Sequence, residues 1–78
     1  MGQNIFPDHL RVLKQAEHDA SEAQFAAHKV RVGLPLSAPI DERIAADVSY
    51  SRAMLALLRA RDVYQAALDQ FIAGEKMA

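Results

Sequence analysis

Gly33-Leu34-Pro35-Leu36-Ser37-Ala38-Pro39 decides how this chain folds. Pro35 and Pro39 each remove a backbone donor and restrict the residue before them, so no helix passes through the segment. Gly33 suits the left-handed residue that closes a helix. A turn of about six residues is a common length between antiparallel helices. On either side the chain holds no strong breaker until Gly74. The reading is therefore two helices and a hinge: helix 7–32, turn 33–38 and helix 39–73.

Working back from the hinge, Pro7 and Asp8 make a sound first turn, since Pro has no amide hydrogen to waste and Asp complements the positive helix end. Apolar residues recur as Phe6, Leu10, Leu13, Ala16, Ala20, Ala23, Ala27 and Val30, in steps of three and four that keep one face together. Alanine in the second half of that face lets another helix approach closely. Working forward, Ser37 is placed to cap the second helix, with Pro39 in its first turn and Asp41 and Glu42 where negative charge is favoured. Ser49 and Ser51 are its weakest point.

Composition agrees with an all-α chain. Half the residues are apolar, yet only five are aromatic and fifteen are alanine, the best helix former. At 78 residues there is room for one domain, and so short a chain buries too little surface to be robust without a staple. Without cysteine, neither a disulfide nor a thiolate metal site is available, which leaves oligomerisation. The net charge of -1 gives no general attraction to nucleic acid or an anionic membrane. No basic segment followed by an apolar one opens the chain, and no run of about 18 uncharged apolar residues occurs. The expectation is a soluble, cytoplasmic protein that does not enter a membrane.

The second helix carries more apolar surface than one partner can cover. Tyr50, Met54, Leu57, Tyr64, Leu68 and Phe71 form one stripe, and Ile40, Ile44, Val48, Leu55 and Leu58 form another whose centre lies roughly 110° away. One can face the first helix and the other a second molecule. The helices would be about 39 and 52 Å long. Leu68, Phe71 and Ile72 would then lie at or beyond the start of the first helix. The expected fold is an antiparallel helical hairpin that dimerises into a four-helix bundle. The face from Met54 to Ile72 is the expected partner or dimer interface, with Tyr50, Met54, Leu57, Arg61, Tyr64, Leu68, Phe71 and Ile72 as its residues.

Candidate chemistry is sparse. His18 and Glu22 are one turn apart, but a metal site needs three or four convergent ligands, and neither His9 nor His28 shares their face. No metal and no cofactor are expected. Arg61 interrupts the apolar stripe and can snorkel to Asp8 in antiparallel register. Arg43/Asp47 and Arg59/Asp62 are spaced for surface pairs. Helical dimers of the chorismate mutase type catalyse with Arg, Lys and Glu lining a bundle. That resemblance is architectural, and with Arg61 alone in the seam no enzyme is expected.

The functional expectation is a non-catalytic protein-protein interaction module that homodimerises and masks a hydrophobic groove on another protein. Small bacterial or phage regulators, inhibitors and co-chaperones act in that way, an analogy of size and fold class alone. The alternative is a nucleic-acid-binding dimer using Arg52 and Arg59. Interleaved acids and the lack of a glycine-rich phosphate loop or a base-reading cluster weigh against nucleic acid.

Overall fold

Pro7 precedes the first helix with an extended backbone (φ -58°, ψ 149°), and its carbonyl accepts the amides of Leu10 at 3.0 Å and Arg11 at 3.2 Å. The computed structural model describes residues 7–77 and the side chains of residues 7–75. Helix α1 follows as Asp8–Gly33 and helix α2 as Ile40–Met77, with no strand among the described residues. The molecule is an all-α antiparallel hairpin. Phe6, expected near the start of α1, lies outside the described residues.

Both helix ends at the hinge differ from expectation in an instructive way. Gly33 is the last residue of α1 and has no left-handed φ; the chain leaves the helix at Leu34, which is extended at φ -66° and ψ 135°. Pro35 imposes that conformation on the residue before it, so proline ends the helix where glycine was expected to. Gly74 likewise does not stop α2, which continues to Met77, and Ser49 and Ser51 do not break it. An exposed Gly or Ser costs a helix only about 0.5 to 1 kcal/mol, too little to interrupt a long one.

The hinge is held by Arg43 in place of Ser37. Arg43 donates from Nη2 to the carbonyls of Pro35 and Leu36, both at 2.8 Å, and from Nε to the carbonyl of Ala38 at 3.3 Å. Pro39 starts α2 through its carbonyl, which accepts the amides of Glu42 and Arg43. A guanidinium presents a fixed fork of donors, so one side chain satisfies three loop carbonyls that a serine hydroxyl could not reach together. This Arg43 contact with the loop takes up the first turn of α2 and delays its contact with α1.

The seam between the helices follows a strict alternation of three and four residues. On α2 it runs through Arg43, Ala46, Tyr50, Ala53, Leu57, Ala60, Tyr64, Ala67 and Phe71, flanked by half-buried Met54 and Leu68, and on α1 through Leu10, Leu13, Glu17, Ala20, Gln24, Ala27, Arg31 and Leu34, flanked by half-buried Ser21 and His28. A 3.5-residue period is the coiled-coil repeat. The seam of α1 thus differs from the all-apolar face read in the sequence: Ala16, Ala23 and Val30 are exposed, while Glu17, Gln24 and Arg31 stand in it. These three recur every seven residues, and a search for apolar residues alone passes over them.

Only Leu10, Ala46 and Leu57 are fully buried hydrophobic residues among those described. The hairpin measures 61 by 22 by 13 Å, so its thin dimension is that of one helix. In a layer one helix thick there is a seam but no second core. At about 1.5 to 3 kcal/mol for each buried leucine, the two buried here fall short of the usual stability of a domain.

Candidate interaction surface

The seam uses two residues in seven, and α2 is apolar over more of its circumference than that. Ile40, Ile44, Val48, Leu55 and Leu58 fall on the side of α2 away from α1 and are 41 to 68% exposed. They run for five turns from the hinge end, with Asp41, Arg52 and Arg59 along one edge. Isolated exposed apolar residues are ordinary, whereas five large ones aligned on one side of a helix make a candidate docking surface.

The eight residues expected at a partner interface occupy a different place. Leu57 is 4% exposed in the seam, and Tyr50, Met54, Tyr64, Leu68 and Phe71 are half-buried along it. The structure brings these six together against the chain's own α1. Arg61 and Ile72 are exposed. Of the two stripes, the first is therefore taken up by α1 and the second, starting at Ile40, is uncovered.

Cross-helix contacts explain why α1 chose the first stripe. Arg61 donates from Nε to Glu17 Oε2 at 3.3 Å, and Arg31 Nη1 stands 3.9 Å from Asp47 Oδ1. The Arg61 partner is thus Glu17 and not Asp8. Asp47 pairs across the seam, and Arg43 is engaged with the loop, so the expected Arg43/Asp47 pair does not form. Arg59 and Asp62 form no ion pair among the described residues. Two tyrosines of the seam are each capped by a cation from α1, with Arg31 4.2 Å from the ring centre of Tyr50 and Lys14 4.9 Å from that of Tyr64. Such contacts need aromatic rings on the facing helix, and the second stripe has none.

Taken together, Arg31 with Asp47, Glu17 with Arg61 and Lys14 with Tyr64 share one register. It sets Leu10 level with Leu68 and Pro7 level with Phe71. The overhang of α2 is accordingly shorter than its sequence suggests, beginning at Ile72 and not at Leu68, because the first turn of α2 is occupied by the loop. These cation-π contacts were not anticipated. Glu17, Gln24 and Arg31 at heptad spacing were the available signal.

The remaining polar features are His18 with Glu22, and His28. His18 Nε2 is 3.5 Å from Glu22 Oε2 with both side chains exposed, and no third His, Asp or Glu joins them among the described residues. His28 is half-buried at 5.9 Å from the Tyr50 ring, and its Nδ1 is buried without a partner. A groove of about 360 Å³ runs between the helices near the hinge, lined by the apolar Ala27, Val30, Leu34, Ala45 and Ala46 together with Glu42 and Ser49. It is open and mostly apolar.

No family model matches the chain, and neither does any curated protein or solved structure. No described helix is long and apolar enough to cross a membrane.

Proposed function

We propose that this hairpin is a non-catalytic protein-protein interaction module that homodimerises and acts as a small regulator, inhibitor or co-chaperone, masking a hydrophobic groove on another protein. The observation that supports it is the uncovered stripe from Ile40 to Leu58. The chain exposes 5806 Å², whereas a compact protein of 8.6 kDa exposes about 4,700 Å². The difference, about 1,100 Å², exceeds the ~800 Å² that each partner contributes to a standard interface. Self-association covers part of that surface, and what remains can enter a groove on a target as an amphipathic helix does.

Light scattering over a concentration series tests this reading, with Leu55→Asp as the probe. Leu55 is exposed, so the variant keeps its helicity by circular dichroism and loses association. A wild-type chain that stays monomeric at all concentrations, or a Leu55→Asp variant that associates as well as wild type, defeats the proposal.

A second reading uses Arg52 and Arg59, both exposed on α2 and outside any ion pair among the described residues. It calls for duplex binding that weakens steeply with salt and is lost in Arg52→Ala/Arg59→Ala. Indifference to duplex DNA at low salt removes it.

A further inference from the structure

We infer that the Ile40 to Leu58 stripe is covered by the same stripe of a second copy of this chain, running antiparallel about a two-fold axis near residues 49 and 50, with Asp41 of each chain against the partner subunit's Arg59. This rests on the dimeric reading above and goes beyond it by naming the face, the direction and the charged contact.

The stripe is close to self-complementary on reversal. About a point between residues 49 and 50, Ile44 exchanges with Leu55 and Val48 with Ser51, while Ile40 and Leu58 fall within one residue of each other's places. An isologous contact demands that kind of self-complementarity, since each patch must serve as its own partner. Large residues fall opposite large ones toward the ends, and at the centre valine meets serine, which allows the two helices to approach closely.

Charge points the same way. Asp41 and Arg59 are eighteen residues apart, five turns of 3.6, so they stand on the same edge of α2. Their midpoint coincides with that of the apolar stripe to within a residue. A two-fold axis at that point brings one edge of α2 alongside the same edge of its copy, and each Asp41 then meets an arginine. A parallel pairing instead puts that edge of the two copies on opposite sides of the contact, with Asp41 and Arg59 at different levels, so the two never meet. Within one chain the two are about 27 Å apart along the helix and cannot meet. Neither makes an ion pair among the described residues, so both are free for this contact.

The quantity of surface fits one such contact per chain. The excess of about 1,100 Å² over a compact protein is enough to supply the ~800 Å² that each chain contributes to one standard interface.

A charge-reversal cycle on the full chain tests the arrangement. Wild type, Asp41→Arg, Arg59→Asp and the double variant Asp41→Arg/Arg59→Asp are compared by sedimentation or light scattering over a dilution series, with circular dichroism confirming equal helicity. Each single reversal places two like-charge pairs in the dimer and weakens association about tenfold or more; the double variant restores it, because the contacts are remade with their signs exchanged. Dimers that ignore the single reversals, or that the double variant fails to restore, overturn the antiparallel arrangement while leaving dimerisation standing. A monomeric wild type overturns both.

Discussion

Arg61 of α2 reaches across the seam to Glu17 of α1, Nε to Oε2 at 3.3 Å, and two heptads nearer the hinge Arg31 of α1 makes the opposite contact with Asp47 of α2. The sense of the pair reverses between the two places, so a slide of either helix separates both. Glu17 also accepts from Lys14 at 3.1 Å and is only 19% exposed, which makes it the shared acceptor of two cations. The Glu17→Arg variant loses about 1 kcal/mol of stability, and adding Arg61→Glu recovers most of it, read as the coupling energy of a double-mutant cycle in urea. A cycle that closes additively removes Arg61–Glu17 from the set of contacts that hold the register.

Arg43 supports the hinge through the carbonyls of Pro35, Leu36 and Ala38, the first of which also accepts the Ala38 amide at 3.0 Å. Arg43→Ala should cost about 1 to 2 kcal/mol, the range for hydrogen bonds from a charged donor at a partly exposed site. Arg43→Lys should recover little, since one ammonium cannot span the same three acceptors. Denaturation midpoints that order as wild type, Lys, Ala with the last two close together are the expected result.

Leu57 and Leu55 are neighbours in sequence with opposite fates. Leu57→Ala removes a buried side chain and should cost about 2 to 4 kcal/mol, enough to abolish a cooperative thermal transition in a chain with so small a core. Loss of helicity in Leu57→Ala alongside normal helicity in Leu55→Ala is the measurable contrast. Equal behaviour of the two would mean that the seam is drawn on the wrong stripe.

Gly33 and Gly74 are both helical, neither has a left-handed φ, and a methyl group added at either meets nothing within 4 Å. Alanine at each should raise stability by about 0.5 to 1 kcal/mol through the entropy of the unfolded chain. Melting temperatures of Gly33→Ala and Gly74→Ala below wild type would contradict the helix boundaries reported above.

His28 keeps a buried Nδ1 without a partner beside Tyr50. His28→Leu removes that desolvated nitrogen while keeping side-chain volume in the seam, and stability should rise by about 1 kcal/mol. A drop in the unfolding midpoint would show that the imidazole has a role in packing that its hydrogen bonding does not reveal.

Much of this architecture is local, and local features are what residue types and spacings express. Pro35 and Pro39 force a turn whatever surrounds them, the run without breakers on either side makes helices, and the two apolar stripes of α2 follow from a 100° step per residue. The roles of Gly33, Ser37 and Gly74 were misjudged because a favourable residue type is only a weak preference. At the hinge, Pro35 two residues after Gly33 and Arg43 six residues after Ser37 overrode it.

The sequence by itself determined that the chain is a helical hairpin and that α2 has more apolar surface than α1 can cover. Only the tertiary structure decided which stripe α1 takes, and hence which face is left uncovered. That choice rests on contacts between residues far apart in the chain: Glu17 with Arg61, Arg31 with Asp47 and Tyr50, and Lys14 with Tyr64. Their energies exist only in one register, and the register depends on the turn of α2 that Arg43 holds against the loop. Apolar periodicity reports the two stripes without ranking them, because burial alone is nearly indifferent to direction; the directional polar contacts across the seam broke the tie.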